Sequence, residues 1–302
     1  MQPPPPSAAR FVVPTLPRPG LHRLACQALL LAIVARISPA NAADPAPRDP
    51  PRPPNVVVIF ADDLGYGDLG CYGHPSIRTP HLDRMAAEGM RFTDFYSAAE
   101  VCTPSRAALL TGRYPVRSGM AHDEFRVLRA ISTGHLPADE VTLAELLKTR
   151  GYHTAMIGKW HLGEWQNDPA GHPDRHGFDE TFGLPHSNDM NAMPQRPKAA
   201  GMRADQQPGW WNAPLFRNRE LIEQPADQTT LTRRYTEEAV RFIHEHRAEP
   251  FFLYLPHTFP HTPLFASADF RGHSRRGLYG DVVEELDWSV GQVLAALRDE
   301  RL

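Results

Sequence analysis

Residues 55–65, Asn-Val-Val-Val-Ile-Phe-Ala-Asp-Asp-Leu-Gly, decide how the chain folds. The run from Val56 to Phe60 is apolar and largely β-branched, without the polar alternation of a strand that keeps one wet face. It reads as a strand buried on both faces, inside a sheet that helices cover. The run breaks at Asp62 and Asp63, at the carboxyl end of the strand, where open α/β sheets place their ligands. Adjacent carboxylates repel and are costly near a core unless a cation compensates them. Hard oxygen donors suit calcium or magnesium better than zinc. A solvated turn is the other reading of the pair.

Downstream, strand and helix signals alternate. Thr79-Pro80 reads as a cap and first helical position, with Gly89 closing the helix. Met90–Tyr96 reads as a strand. Thr103-Pro104 repeats the cap-then-proline signal and opens a helix to Gly112. Thr142 and Glu145 form a capping box before Leu143, Leu146 and Leu147. Tyr152–Ile157 reads as a strand, and 164–228 as a long excursion on the surface or around a site mouth. A helix from Thr232 to about His246, the strand Phe251–Leu255 and a helix from about Tyr279 to Arg298 follow. There is no internal repeat. The order implies an α/β fold, a mainly parallel central sheet with helices on both faces.

The segment Cys102-Thr103-Pro104-Ser105-Arg106, continued by Ala107-Ala108-Leu109-Leu110-Thr111-Gly112-Arg113, resembles the sulfatase signature. The resemblance implies an alkaline-phosphatase-like fold and oxidation of Cys102 to formylglycine by a maturing enzyme that reads the proline and arginine. A serine or cysteine attacking a sulfate ester would leave a stable sulfated enzyme. A hydrated aldehyde attacks with one hydroxyl and expels sulfate through the other, activated by a metal and a nearby base. A helix N-terminus beneath it favours the anion.

Other segments resemble the same family. Asp62 and Asp63 fall at its metal-ligand positions, with the oxygen derived from Cys102 as a further ligand to Ca2+ or Mg2+. Arg106 falls on the arginine that supports the nucleophile. Gly158-Lys159-Trp160-His161-Leu162-Gly163 matches its lysine–histidine motif, making Lys159 and His161 sulfate-facing groups. In Pro256-His257-Thr258-Phe259-Pro260-His261-Thr262-Pro263, His261 aligns with the histidine that contacts sulfate or protonates the leaving oxygen. His257 is a supporting or purely structural residue, and Ser187 sits where some arylsulfatases hold a serine near the nucleophile. Glu284, Glu285 and Asp287 read as scaffold and solvated face. Trp210 and Trp211 offer stacking surfaces or core filling. The substrate class implied is an aryl or carbohydrate sulfate, a sulfated small molecule or glycan.

The resemblance covers residues 55–302, and the domain it implies is incomplete. The family continues with a strand ending in an Asp-Asn pair and then a lysine, and this sequence holds no Asp-Asn pair. Calcium takes six to eight oxygens, so the expectation for the chain alone is weak calcium binding, marginal stability and slow or absent turnover. A phosphonate or phosphate monoester hydrolase of the same superfamily is the nearest competing reading. A non-catalytic remnant that binds sulfated ligands, or a purely structural secreted domain, comes from another class.

Upstream, fourteen of the 31 prolines fall within the first 54 residues, which precludes long helix or strand. Arg18, His22 and Arg23 precede an apolar run from Leu24 to Ala35, and Ala40-Asn41-Ala42 offers a small–x–small cleavage pattern. Residues 1–42 read as a signal peptide, 43–54 as a proline-rich linker, and the product as secreted or periplasmic. The apolar run is too short for a stable membrane anchor. Cleavage removes Cys26 and leaves Cys71 and Cys102, whose pairing is disfavoured because Cys102 sits in the signature. A net charge of −3 without a basic patch gives no nucleic-acid partner. The sequence assigns no oligomeric state.

Overall fold

The computed structural model describes residues 52–121, 126–197 and 207–302. The leader, Cys26 and most of the linker lie outside the described residues. Six strands form one sheet: β1 (Val56–Phe60), β2 (His153–Lys159), β3 (Glu180–Leu184), β4 (Leu215–Arg217), β5 (Glu220–Glu223) and β6 (Phe251–Pro256). Their order is β1-β6-β2-β3-β4-β5. The first four in that order are mutually parallel, and β4 and β5 add an antiparallel hairpin at the far side.

Helices cover both faces, as the alternating pattern implies. The helices are α1 (Pro80–Glu88), α2 (Cys102–Thr111), α3 (Leu143–Lys148), α4 (Leu231–Glu245) and α5 (Gly277–Asp299). Phe251, Leu253 and Leu255 of β6 pack in one cluster with Tyr235, Ala239 and Phe242 of α4 and Val282 and Val293 of α5. Phe252 and Tyr254 turn to the opposite cluster with Ala107 and Leu110 of α2 and Ala144 of α3. The period of two along a fully buried strand thus divides the core into two layers. The α3 capping box forms as read: Thr142 Oγ1 accepts from the Glu145 amide, and Glu145 accepts from the Thr142 amide.

Several expectations are corrected. β1 is only half-buried because it lies at the sheet edge and β6 flanks it on one side alone. Residues 90–96 form no strand; no strand among the described residues pairs with them, and Met90 and Tyr96 are 79% and 81% exposed. Cys102 itself is the first residue of α2 and Val101 its cap. Thr103 is buried, donating to the His161 carbonyl and accepting from the Leu128 amide. The stretch 164–228 is no simple surface excursion, since it supplies β3, β4 and β5. Its Trp211 is buried and Trp210 packs on the same cluster, so both fill core.

The acids of α5 are scaffold, but they do not form a solvated face. Glu284, Glu285 and Asp287 are all buried. Asp287 accepts from the amides of His81 and Leu82, which are free donors in the first turn of α1. Glu284 binds Arg78, and Glu285 takes the amide of Ser267. No helix among the described residues is long and apolar enough to cross a membrane.

Candidate active site

The parallel strands end together, and the polar residues of the sequence motifs stand just beyond those ends. Asp62 follows β1, Lys159 closes β2, Ser187 lies three residues past β3, and His257 and His261 follow β6. Gly158 allows the close spacing at this end. Its φ is +138°, and a Cβ there would stand 2.0 Å from the carbonyl oxygen of Pro256 on the neighbouring strand.

Asp62 is the hub. Its carboxylate is buried, accepts a hydrogen bond from the Lys159 ammonium, and lies 3.4 Å from Nη2 of Arg106. Burial opposes its ionisation, but the charges of Lys159 and Arg106 outweigh burial and hold the carboxyl well below the usual carboxylate range. Lys159 also donates to Ser187 Oγ at 3.0 Å, and Arg106 donates to the Lys159 carbonyl at 2.7 Å. Neither cation has measurable side-chain exposure. The guanidinium also lies over the Phe60 ring, 5.4 Å from its centroid.

Cys102 and both aspartates line one cavity of about 540 Å³. Ser105, one helical turn beyond Cys102, shares its wall, as do Tyr66, Tyr72, Phe92 and Phe95. Burial pushes the Cys102 thiol up, with Asp62 adding to the effect and Lys159 and Arg106 opposing it. Cys71 and Cys102 are both free thiols. Asp63 is more open, 58% exposed, with φ +66° turning it toward the cavity and His261 Nε2 3.9 Å from its carboxylate.

The remaining candidates are placed differently. His161 is buried, donates from Nε2 to the Leu128 carbonyl at 2.7 Å, and keeps Nδ1 without a partner. Burial and then Lys159 push its pKa well below the ordinary histidine value. It does not line the cavity. His257 is buried beside Ser289, and burial lowers its pKa to about 3. Sequence reasoning missed Ser105, although its i+3 spacing from Cys102 was the available signal. It also missed a buried pair in which His186 Nε2 lies 3.7 Å from Glu164. No local pattern announces that contact.

Donor chemistry at Asp62 and Asp63 fits a hard divalent cation: both are oxygen ligands, and both face the same open space as Cys102. The set is short, because Asp62 already serves Lys159 and Arg106. The clusters among the described residues in which three donor atoms converge lie elsewhere.

The sulfatase family model matches residues 54–302. The chain is 44% identical to mouse (Mus musculus) steryl-sulfatase over 93% of its own length and 54% of that protein. It is 47% identical to cattle (Bos taurus) arylsulfatase A, over 82% of this chain and 49% of the other. Among solved structures, that of Ps i-CgsB superposes with a TM-score of 0.68 at 34% identity, covering 82% of this chain and 55% of that one. Ps i-CgsB is also known in complex with k-i-k-neocarrahexaose. The chain spans about half the length of the curated relatives it matches. Its architecture, its Cys102 signature and these likenesses agree: the chain belongs to the sulfatase family.

Proposed function

We propose that this chain carries the nucleophile-bearing part of a sulfate ester hydrolase acting on an aryl or carbohydrate sulfate. The observation that supports this reading most is the placement of Cys102. It stands at the first position of α2, on a cavity wall shared with Asp62 and Asp63 and beside the buried cations that engage Asp62. A thiol raised by burial is a poor nucleophile at neutral pH. That favours conversion of Cys102 to formylglycine, which supplies a geminal hydroxyl pair for attack and release. Calcium, or magnesium, held by Asp62 and Asp63 would supply Lewis acidity toward a sulfate oxygen.

The chain's own residues do the rest. Lys159 and Arg106 set a fixed positive field beside Cys102, worth more in a buried site than in water. Ser187 fixes the Lys159 ammonium. His261, beside Asp63 at the mouth, is positioned to give a proton to a leaving oxygen. His161, with one bare ring nitrogen, is the sulfate-facing candidate that requires the local structure to open. The leader at 1–42 is proposed as an export signal for a secreted or periplasmic product, and the start of the exported chain tests it.

Mass spectrometry of the Cys102 peptide from a host with maturing enzyme tests the central step. An aldehyde at position 102 is the expected result, with any turnover by this chain alone slow, faster on an aryl sulfate than on an aryl phosphonate, and lost in Cys102→Ala. An intact thiol from a competent host would sink the reading. Preference for the phosphonate would move it to phosphorus chemistry.

A further inference from the structure

The ends of the strands remote from Cys102 carry a second cluster of ligating side chains. His153 opens β2, Glu180 opens β3, Glu249 lies two residues before β6, and His246 caps the end of α4. Because β6, β2 and β3 are parallel neighbours, these residues share one end of the sheet. Six residue steps separate His153 from Lys159, so the cluster lies roughly 20 Å from the candidate active site.

One donor atom from each of His153, His246 and Glu249 lies within 4.8 Å of the other two. His153 Nε2 is 2.5 Å from a Glu249 carboxylate oxygen. The imidazoles of His153 and His246 stack with centroids 4.5 Å apart and planes inclined by 27°. His246 Nε2 also lies 3.0 Å from Glu180 Oε1. Arg52 donates to the carbonyls of Arg247 and Glu249, which pins the connection that carries Glu249. The side chains of His153 and Glu249 are 44% and 56% exposed, open to an ion from solvent.

We infer that His153, His246 and Glu249 bind one divalent transition-metal ion, for which zinc is the best match. Two imidazoles and one carboxylate are a recurrent zinc ligand set with a fourth position left for water. Ligands about 2.0–2.2 Å from a tetrahedral ion stand roughly 3.5 Å from one another. Donors already within 4.8 Å have to close to that spacing, and the stacked imidazoles of His153 and His246 have to unstack and turn so that both lone pairs meet at one ion. Glu180 is the outer carboxylate that orients the His246 ring, a partner zinc-bound histidines regularly have. A second convergent group, Glu180, Glu245 and His246, shares that histidine. Arg241 already binds both of its carboxylates, and its charge opposes a cation there. The His153 side is the site. An ion there would join β2, the end of α4 and the entry to β6, far from the cavity that holds Cys102.

Isothermal titration of the untagged full chain with zinc chloride at neutral pH tests the assignment. The Asp63→Asn variant serves as parent, since it removes a carboxylate at the other cavity that competes for metal. The expected result is one zinc per Asp63→Asn chain. Affinity should fall at least tenfold when His153→Gln is added and again when Glu249→Gln is added instead. Both sites are solvent-accessible side chains, so circular dichroism of each variant should match the parent. No binding up to millimolar zinc would overturn the assignment. Unchanged affinity in His153→Gln would do the same.

Discussion

Replacing Asp62 by asparagine should destabilise the fold more than any other single change at the cavity. Among the described residues, Asp62 is the one carboxylate that contacts both Lys159 and Arg106, and neither cation reaches solvent. The three side chains together carry one excess positive charge. Asp62→Asn raises the excess to two, on cations whose side chains do not reach the surface. Removing one partner from a buried ion pair typically costs about 3–5 kcal/mol, because the orphaned charge stays behind. Here two charges are orphaned, so the upper part of that range applies. Lys159→Met has the opposite effect on the balance, leaving a neutral Asp62–Arg106 pair, and should cost about 1–3 kcal/mol through the lost hydrogen bonds. The double variant should then be about 2 kcal/mol more stable than Asp62→Asn alone. Urea unfolding followed by tryptophan fluorescence measures all four proteins, with a chelator present so that metal binding at Asp62 does not enter. Independent sites add to within about 0.5 kcal/mol. Additive losses in this cycle, or an Asp62→Asn cost below about 1 kcal/mol, would refute the charge-balance reasoning.

Four further outcomes are expected. Gly158→Ala drives a Cβ into the Pro256 carbonyl and a strained φ, and should cost on the order of 3 kcal/mol in the same unfolding assay. Burial lowers the pKa of His176 and His186 to about 4 and of His257 to about 3. Their stabilising neutral state is matched by the unfolded chain above about pH 6.5, so stability should fall as pH drops from there toward 4, by up to about 3 kcal/mol per ring, read as a falling urea midpoint. Burial raises Glu164 to about 7, so its contribution is present below about pH 4.5 and lost as pH rises through 7. Glu164→Gln should therefore stabilise near pH 8 and not near pH 4, measured by thermal melts at both. Asp287→Ala removes both acceptors from the first turn of α1 and should cost about 1–2 kcal/mol, checked by urea titration.

What the sequence disclosed followed from local signals. Val56–Phe60 and Phe251–Leu255 announce strands because their apolar runs are bounded by polar turns, although only the second is buried on both faces. Thr142 with Glu145 announces a helix start because both hydrogen bonds close within four residues. The Cys102 segment is legible because so many of its positions are specified together. What stayed hidden depends on distant partners. Glu180–Leu184 is short and framed by irregular chain, and only its pairing with β2 and β4 makes it a strand. Residues 90–96 have the composition of a strand and no neighbouring strand among the described residues to pair with. Glu284, Glu285 and Asp287 look like a solvated face until their acceptors are seen to meet Arg78, Ser267 and the first turn of α1. The role of His161 is masked for the same reason: its ring is claimed by the Leu128 carbonyl, a contact 33 residues away in sequence.

The order of the sheet explains why such scattered residues meet. Asp62, Cys102, Lys159, Ser187 and His261 are spread over nearly 200 positions, yet each follows a parallel strand or begins the helix packed against those strands. Parallel strands put all their carboxyl ends on one side, so every connection leaving β1, β6, β2 and β3 passes the same region. The hydrophobic layers supply rigidity, and the polar ends supply charge at fixed spacing. Among the described residues, two buried cations face one buried carboxylate. That local positive charge beside a helix N-terminus suits an anionic group at Cys102, while the exposed Asp63 stands at the cavity side near His261.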